Sequence, residues 1–193
     1  MENDQELIAL ILAGDQDAFT ALVELYQRPV FNLAFRMLND AREAEDAAQE
    51  AFLRAYQHLD RYDRSRSFKT WLLSIASNHC IDRIRRRRLT WLSIDEPLPP
   101  HPALASDETE PEDATLMSER DATVQGLLDQ LAPEYKAAVV LRYWHDLSYT
   151  EIAELLDTTE SAIKSRLFRA RQMMAENLRG EESQAVMVAV EGV

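Results

Sequence analysis

Between Ser161 and Gln172 the chain carries side chains suited to reading a nucleic-acid duplex. Ser161, Ser165, Phe168, Arg169 and Gln172 recur at spacings that put them on one face of a helix, flanked by Lys164, Arg166 and Arg171. Ile163, Leu167, Ala170 and Met174 recur with the same period on the opposite face. A helix with that inner stripe can pack on a partner while its outer face enters a major groove. There short polar side chains and arginine meet base edges, and the cations meet phosphates. The same pattern also describes a charged face turned to water, and the stretch alone leaves both readings open.

Two other stretches carry candidate chemistry. Residues 61–88 mix cations with Tyr62, Phe68 and Trp71, a combination that suits single-stranded nucleic acid. Phe68, Trp71, Leu72 and Ile75 sit at helical spacing, so these two aromatics are expected in the core. Asn78 is more pointed, because an amide beside a basic helix can hydrogen-bond a base edge. Arg85–Arg88 extend that helix with positive charge, or simply solvate its end. On the third stretch, Asp46, Gln49, Glu50 and Leu53 share a helical face opposite Ala47, Ala51 and Ala55. An exposed leucine beside two carboxylates suits a basic partner surface; a merely wet face is the alternative. His79 and Cys80 are adjacent, but no second pair gives metal-ligand spacing, so neither a metal nor a cofactor is expected.

These residues need helices to position them. Ser148 and Glu151 form an S-x-x-E capping box, followed by the apolar Ile152, Ala153, Leu155 and Leu156. A turn over 157–160 comes next, with Thr158 or Thr159 available to cap the following helix. Upstream, Asp4 is expected to cap a short helix ending near Gly14, and Asp15 the next one. Pro29 predicts a kink or break in that second helix. Asp40 with Glu43 marks the start of a helix over roughly 41–58, and Ser67 caps the basic one. Stretches 114–131 and 133–145 also read as helical, with Pro133 in a first turn. No strand pattern stands out. The expected fold class is all-α, with two small helical domains joined by an acidic, proline-rich linker, the second ending in a helix-turn-helix.

A formal net charge of −13 over 193 residues argues against nucleic acid only if the charge is spread evenly. Residues 1–60 sum to −8 and 91–121 to −8, whereas 61–90 sum to +7 and 164–179 to +4. The local field decides contact with phosphates. The acidic remainder then faces water or a basic partner. One cysteine permits no internal disulfide. No apolar run is long enough to span a bilayer, and the acidic N-terminus is unlike a secretory signal. A cytoplasmic protein without direct membrane insertion is expected. Nothing resembles a nucleophile–base pair or a phosphate-cradling glycine loop, so no catalysis is expected.

Residues 44–56 ("AEDAAQEAFLRAY"), 67–88 ("SFKTWLLSIASNHCIDRIRRRR") and 147–171 ("LSYTEIAELLDTTESAIKSRLFRAR") resemble, in this order and spacing, the extracytoplasmic-function subfamily of bacterial sigma-70 factors. The resemblance covers nearly all of residues 4–178 and implies an alternative sigma factor, a promoter-specificity subunit of RNA polymerase. It implies a region 2 domain over 1–91, a linker over 92–115, a region 4 domain over 116–179 and a tail over 180–193. Docking on core RNA polymerase falls to Asp46, Gln49, Glu50 and Phe52. Binding of the melted minus-10 promoter element falls to Asp63, Arg64, Ser65, Arg66, Ser67, Asn78, Arg85 and Arg86. Reading of the duplex minus-35 element falls to Lys164, Ser165, Arg166, Phe168, Arg169 and Arg171. The resemblance also implies an anti-sigma factor that clamps the two domains. Two places depart from the family pattern. Thr158–Ser161 replace a proline-containing turn and bring Glu160 near the DNA, and arginines stand in the 62–67 loop where many relatives have glycine. The competing readings are a stand-alone helix-turn-helix DNA-binding regulator, a helical adaptor with no nucleic-acid role, and an enzyme of nucleic acids, which would need a carboxylate or metal site that the sequence does not offer.

Overall fold

Asp15 begins a long helix of the N-terminal half, its carboxylate accepting from the Asp17 and Ala18 amides at 2.9 and 3.1 Å. Such a cap satisfies donors that the first helical turn leaves without partners. The computed structural model describes residues 2–92 and 119–191, with side chains over 4–89 and 121–179. The acidic linker expected over 92–115 lies almost wholly outside the described residues. In chain order the helices are α1 (Glu2–Leu12), α2 (Gln16–Leu38), α3 (Ala41–Gln57), a 3-10 turn (Leu59–Arg61), α4 (Phe68–Leu92), α5 (Glu119–Asp129), α6 (Pro133–Tyr143), α7 (Tyr149–Leu155) and α8 (Glu160–Glu191). There is no strand among the described residues, in agreement with the all-α expectation.

Three local expectations meet different outcomes. Asp40 caps α3 as anticipated, accepting from the Glu43 amide at 2.8 Å. Asp4 does not cap α1. It lies inside the helix, and its carboxylate accepts instead from the Tyr26 hydroxyl at 2.8 Å. Pro29 does not break α2, which runs through it from Gln16 to Leu38. The helix survives because Leu22, Val30, Leu33 and Met37 bury its inner face on both sides of the proline. The acceptor freed by the missing N–H belongs to Leu25, which is half exposed, so water can serve that carbonyl.

The alanines of α3 explain the close packing of the N-terminal half. Ala44, Ala47, Ala48, Ala51 and Ala55 are buried, and small side chains let α2 and α4 approach this helix closely. Phe68, Leu72, Leu73, Ala76 and Ile81 complete this part of the core from α4.

The C-terminal half is organised by α6. Ala137, Ala138, Val139, Val140 and Leu141 are buried in unbroken succession. A helix apolar all round must be enclosed, and α6 packs against α2 and α4 on one side and α7 and α8 on the other. One continuous apolar core therefore runs through both halves. Polar groups fasten the seam. Gln125, 2% exposed, donates to the Arg36 carbonyl at 3.1 Å and to Asp129 Oδ1 at 3.2 Å. Asp129 also accepts from Asn39 Nδ2 and Lys136 Nζ, each at 2.6 Å. Burial pushes the Lys136 pKa down, and the Asp129 carboxylate opposes that shift. Arg36 lies over the Trp144 ring, 5.0 Å from its centroid.

Candidate nucleic-acid interface

The helix-turn-helix forms as its local signals predict. The Ser148 hydroxyl accepts from the Glu151 amide at 3.2 Å, and the Glu151 carboxylate accepts from the Ser148 amide at 2.8 Å, closing the capping box. The Ser148 hydroxyl, donating to the same carboxylate at 2.6 Å, and then the Ser148 amide hold the Glu151 carboxyl below the usual range. Asp157 takes a left-handed φ of 48° in the turn. Thr159 Oγ1 then accepts from the Ala162 amide at 3.1 Å and starts α8. Ile163, Leu167 and Ala170 are buried, and Met174 packs beside them.

The opposite face of α8 is open. Ser161, Lys164, Ser165, Phe168, Arg169, Arg171 and Gln172 are all exposed, while Arg166 is half-buried. Phe168 is the telling side chain, because a phenylalanine 56% exposed gains nothing in water. Lys164 is tied to Glu160 at 2.6 Å, and that contact lowers the pKa of Glu160 and raises that of Lys164. Arg171 Nε donates back to the Leu167 carbonyl at 3.3 Å. The backbone of α8 continues to Glu191, so the expected domain edge at residue 180 is not a helix end.

The loop 63–67 is held from several directions. Asp63 Oδ1 accepts from the Ser65 amide at 3.0 Å and hydroxyl at 2.7 Å, which holds the Asp63 carboxyl below its usual range. Ser67 Oγ faces the Thr70 amide at 3.5 Å, a long cap for α4. Gln5 of α1 donates to the Arg64 carbonyl at 3.2 Å, and the Tyr62 hydroxyl donates to the Arg66 carbonyl. Phe68 is 2% exposed, and the Tyr62, Phe68 and Trp71 rings meet edge-on or tilted with centroids 5.0–5.6 Å apart. Phe68 and Trp71 turn inward as expected, and with Tyr62 they form the floor of the loop rather than an open platform. Asn78 is exposed further along α4. Arg85 donates through Nε and Nη2 to Glu134 Oε1 of α6, at 2.9 and 2.6 Å.

The acidic face of α3 is partly as expected. Asp46 and Gln49 are exposed, and Leu53 is 52% exposed. Phe52 is set apart from the others: at 8% exposure it packs inward, and Leu53 is the apolar side chain that this face presents. The acids are not bare. Glu50 accepts from Arg54 Nε at 2.6 Å, which lowers its pKa. Arg83 of α4 lies 3.8 Å from Asp46 and 3.4 Å from Glu43, and Arg87 also pairs with Glu43. Sequence reasoning missed Gln5 and Arg83, and it missed the pairing of Glu43 with Arg83 and Arg87, because these partners stand far away in the chain. Tyr62 was visible as an aromatic among cations, but not its bond to the loop. No group of three or more metal-ligating side chains occurs among the described residues.

Residues 22–90 match sigma-70 region 2 and residues 122–174 match sigma-70 region 4. The chain is 38% identical over 177 residues to the ECF RNA polymerase sigma factor SigW of Bacillus subtilis, covering 89% of this chain and 95% of SigW. The protein belongs to the ECF sigma factors. It is also 34% identical over 175 residues to the ECF sigma-E factor of Escherichia coli strain K12, covering 88% and 91% of the two chains. Among solved structures, CnrH in complex with the cytosolic domain of CnrY aligns with a TM-score of 0.67 at 25% identity, over 92% of this chain and 98% of that one. RpoE of Bartonella quintana, in complex with the anti-sigma factor NepR, shares the fold with a TM-score of 0.61 at 24% identity, over 83% and 96%. As an ECF sigma factor the protein binds core RNA polymerase and directs promoter recognition and transcription initiation. A stand-alone regulator built on the helix-turn-helix would leave the region 2 match without a role.

Proposed function

We propose a division of labour among the residues of this sigma factor. The open face of α8 reads the duplex minus-35 element. Lys164, Ser165, Phe168 and Arg169 address base edges and the thymine methyl, and Arg166 and Arg171 stand near phosphates. The loop Asp63–Ser67, with Asn78, Arg85 and Arg86 on α4, binds the melted minus-10 element. Asp46, Gln49 and Glu50 on α3 dock core polymerase, with Leu53 supplying the apolar contact in place of Phe52. The single observation that carries the reading is the exposed, unpartnered Phe168 among serine and cations on a helix whose other face is buried. No side chain is assigned a catalytic role; chemistry belongs to the polymerase.

This assignment accommodates the overall negative charge. A sigma subunit shares the DNA with polymerase, so acidic helices can serve docking while two local basic segments serve the promoter. No helix among the described residues is long and apolar enough to cross a membrane, and we place the protein in the cytoplasm with its polymerase. The neighbours solved with the cytosolic domain of CnrY and with the anti-sigma factor NepR support an anti-sigma factor as a partner for this chain.

The test is co-elution with bacterial core RNA polymerase on size exclusion, with an Asp46→Arg/Glu50→Arg double variant alongside. We expect the complex to form with the unchanged protein and to weaken on the order of 100-fold in the variant. A folded variant that co-elutes as well as the parent overturns the docking assignment.

A further inference from the structure

Two side chains outside all the sets named above grip the minus-10 loop by its backbone. Gln5 reaches from α1 to the Arg64 carbonyl, and Tyr62 reaches from beneath to the Arg66 carbonyl. Asp63, Arg64, Ser65 and Arg66 are all exposed, so the loop has no apolar anchor of its own. Its backbone rests on the turn made by Asp63, whose carbonyl accepts from the Arg66 amide at 3.0 Å, and on these two outside bonds; the exposed Arg66 side chain adds ion pairs to Asp63 at 3.5 Å and to Glu154 of α7 at 3.8 Å.

The support for α1 is itself fixed. Asp4, one residue before Gln5, accepts from the Tyr26 hydroxyl. Burial raises the pKa of Tyr26, so the phenol stays protonated and keeps donating. The Tyr26 ring packs on Phe68 with centroids 5.4 Å apart, and Phe68 contacts the Tyr62 ring at 5.5 Å. The first turns of α1 and the loop therefore stand on one aromatic cluster. Between them opens a cleft of about 480 Å³, walled by Asp4, Gln5 and Glu6 on one side and Arg64 to Phe68 on the other.

From this geometry we infer that Gln5 and Tyr62 are positioning residues for base discrimination at the minus-10 element. The inference rests on the reading that residues 63–67 meet the melted strand. A loop held at two carbonyls presents the Arg64 and Ser65 side chains in one arrangement. A wrong base then leaves polar groups unpaired, which is how hydrogen-bonding sites discriminate. A loop freed of those two bonds re-pairs with whichever base arrives, so selectivity falls even where binding persists. α1 thereby belongs to the reading surface without touching the bases.

The experiment uses the full chain with core polymerase, transcribing a template library randomised across the minus-10 positions. Transcript sequencing yields the rate ratio between best and worst base at each position. Tyr62→Phe keeps the ring cluster and removes only the hydroxyl; Gln5→Ala removes the other bond. Each variant is expected to lower the ratio about 5-fold at one or more positions, the scale of one net hydrogen bond. Core co-elution, melting temperature and response to the minus-35 element stay as in the parent. Rates that fall by one common factor for every base, or ratios unchanged in both variants, overturn this inference alone. Absence of promoter-directed transcription by the unchanged protein overturns the assignment of the loop, and this inference with it.

Discussion

In the C-terminal half one helix, α8, carries every residue assigned to the duplex. In the N-terminal half the residues assigned to the melted strand are spread over a loop and the length of α4, and they lean on α1 and α6. The α8 face needs only its own helix and a buried inner stripe to take shape. The N-terminal surface is composite, and several of its polar groups are already engaged: Arg85 by Glu134, Ser65 by Asp63, Arg66 by Asp63 and by Glu154 of α7. A regular duplex can be met by a regular element made in advance. An irregular single strand asks for groups from several elements, and those groups hold one another until it arrives.

The sharpest way to break this comparison is through the core that both halves share. Leu141 of α6 is fully buried, and Leu141→Ala should lower the unfolding free energy by about 2–5 kcal/mol. Because the core is continuous, amide protection measured by hydrogen exchange should fall in α3 as well as in α8. A loss confined to the C-terminal half would mean that the two halves stand independently.

His145 offers a second probe. Burial, reinforced by Lys69 at the start of α4, lowers its pKa from 6.5 to about 4. The unfolded chain takes up this proton before the folded one does. The contribution to stability is therefore complete above pH 6.5 and is lost as pH falls toward 4, on the order of 3 kcal/mol in full. Melting temperature should drop between pH 7 and pH 4.5, and His145→Gln should flatten that drop. In Lys69→Met the imidazole pKa, followed by NMR, should rise. An unmoved pKa would show that the halves do not face each other at this point.

Arg169→Ala should reduce transcription from promoters bearing a minus-35 element about 10-fold or more, the scale of one lost base contact. Run-off assays should find minus-10 discrimination intact, and a joint loss would blur the separation drawn between the two surfaces. The smallest effect is expected at the seam. Glu134→Gln releases Arg85 from a half-exposed ion pair, so the free protein should bind single-stranded minus-10 DNA about 2- to 5-fold more tightly by fluorescence anisotropy. Unchanged affinity would show that Arg85 is no part of that surface.

The helix-turn-helix was legible in the sequence because all its determinants are local. The Ser148–Glu151 box, the Thr159 cap and the Ile163–Leu167–Ala170 stripe lie within a few turns of one another. The alanine stripe of α3 was legible for the same reason. Asp4 misled because a carboxylate near a helix start reads as a cap, whereas its real partner is 22 positions away. Phe52 lies inside with Ala48 and Ala55, as helical periodicity puts it. The enclosed α6 was readable only as one more helix, since a run such as Ala137–Leu141 does not say what covers its second side. The bonds of Gln125 to Arg36 and of Arg85 to Glu134 span 89 and 49 positions, beyond any local signal.

One small contact on α8 has a consequence for how binding would respond to salt. Each phosphate that a protein cation neutralises ordinarily frees condensed ions from the duplex, and affinity falls with salt in proportion. Lys164 already carries a carboxylate, Glu160, at 2.6 Å. A phosphate that captures Lys164 has to displace that carboxylate, which then takes up ions from solution. Part of the ionic release at the DNA is thereby returned at the protein. A salt titration of the minus-35 contact should be shallower by about one unit of slope than a count of cations on this face suggests.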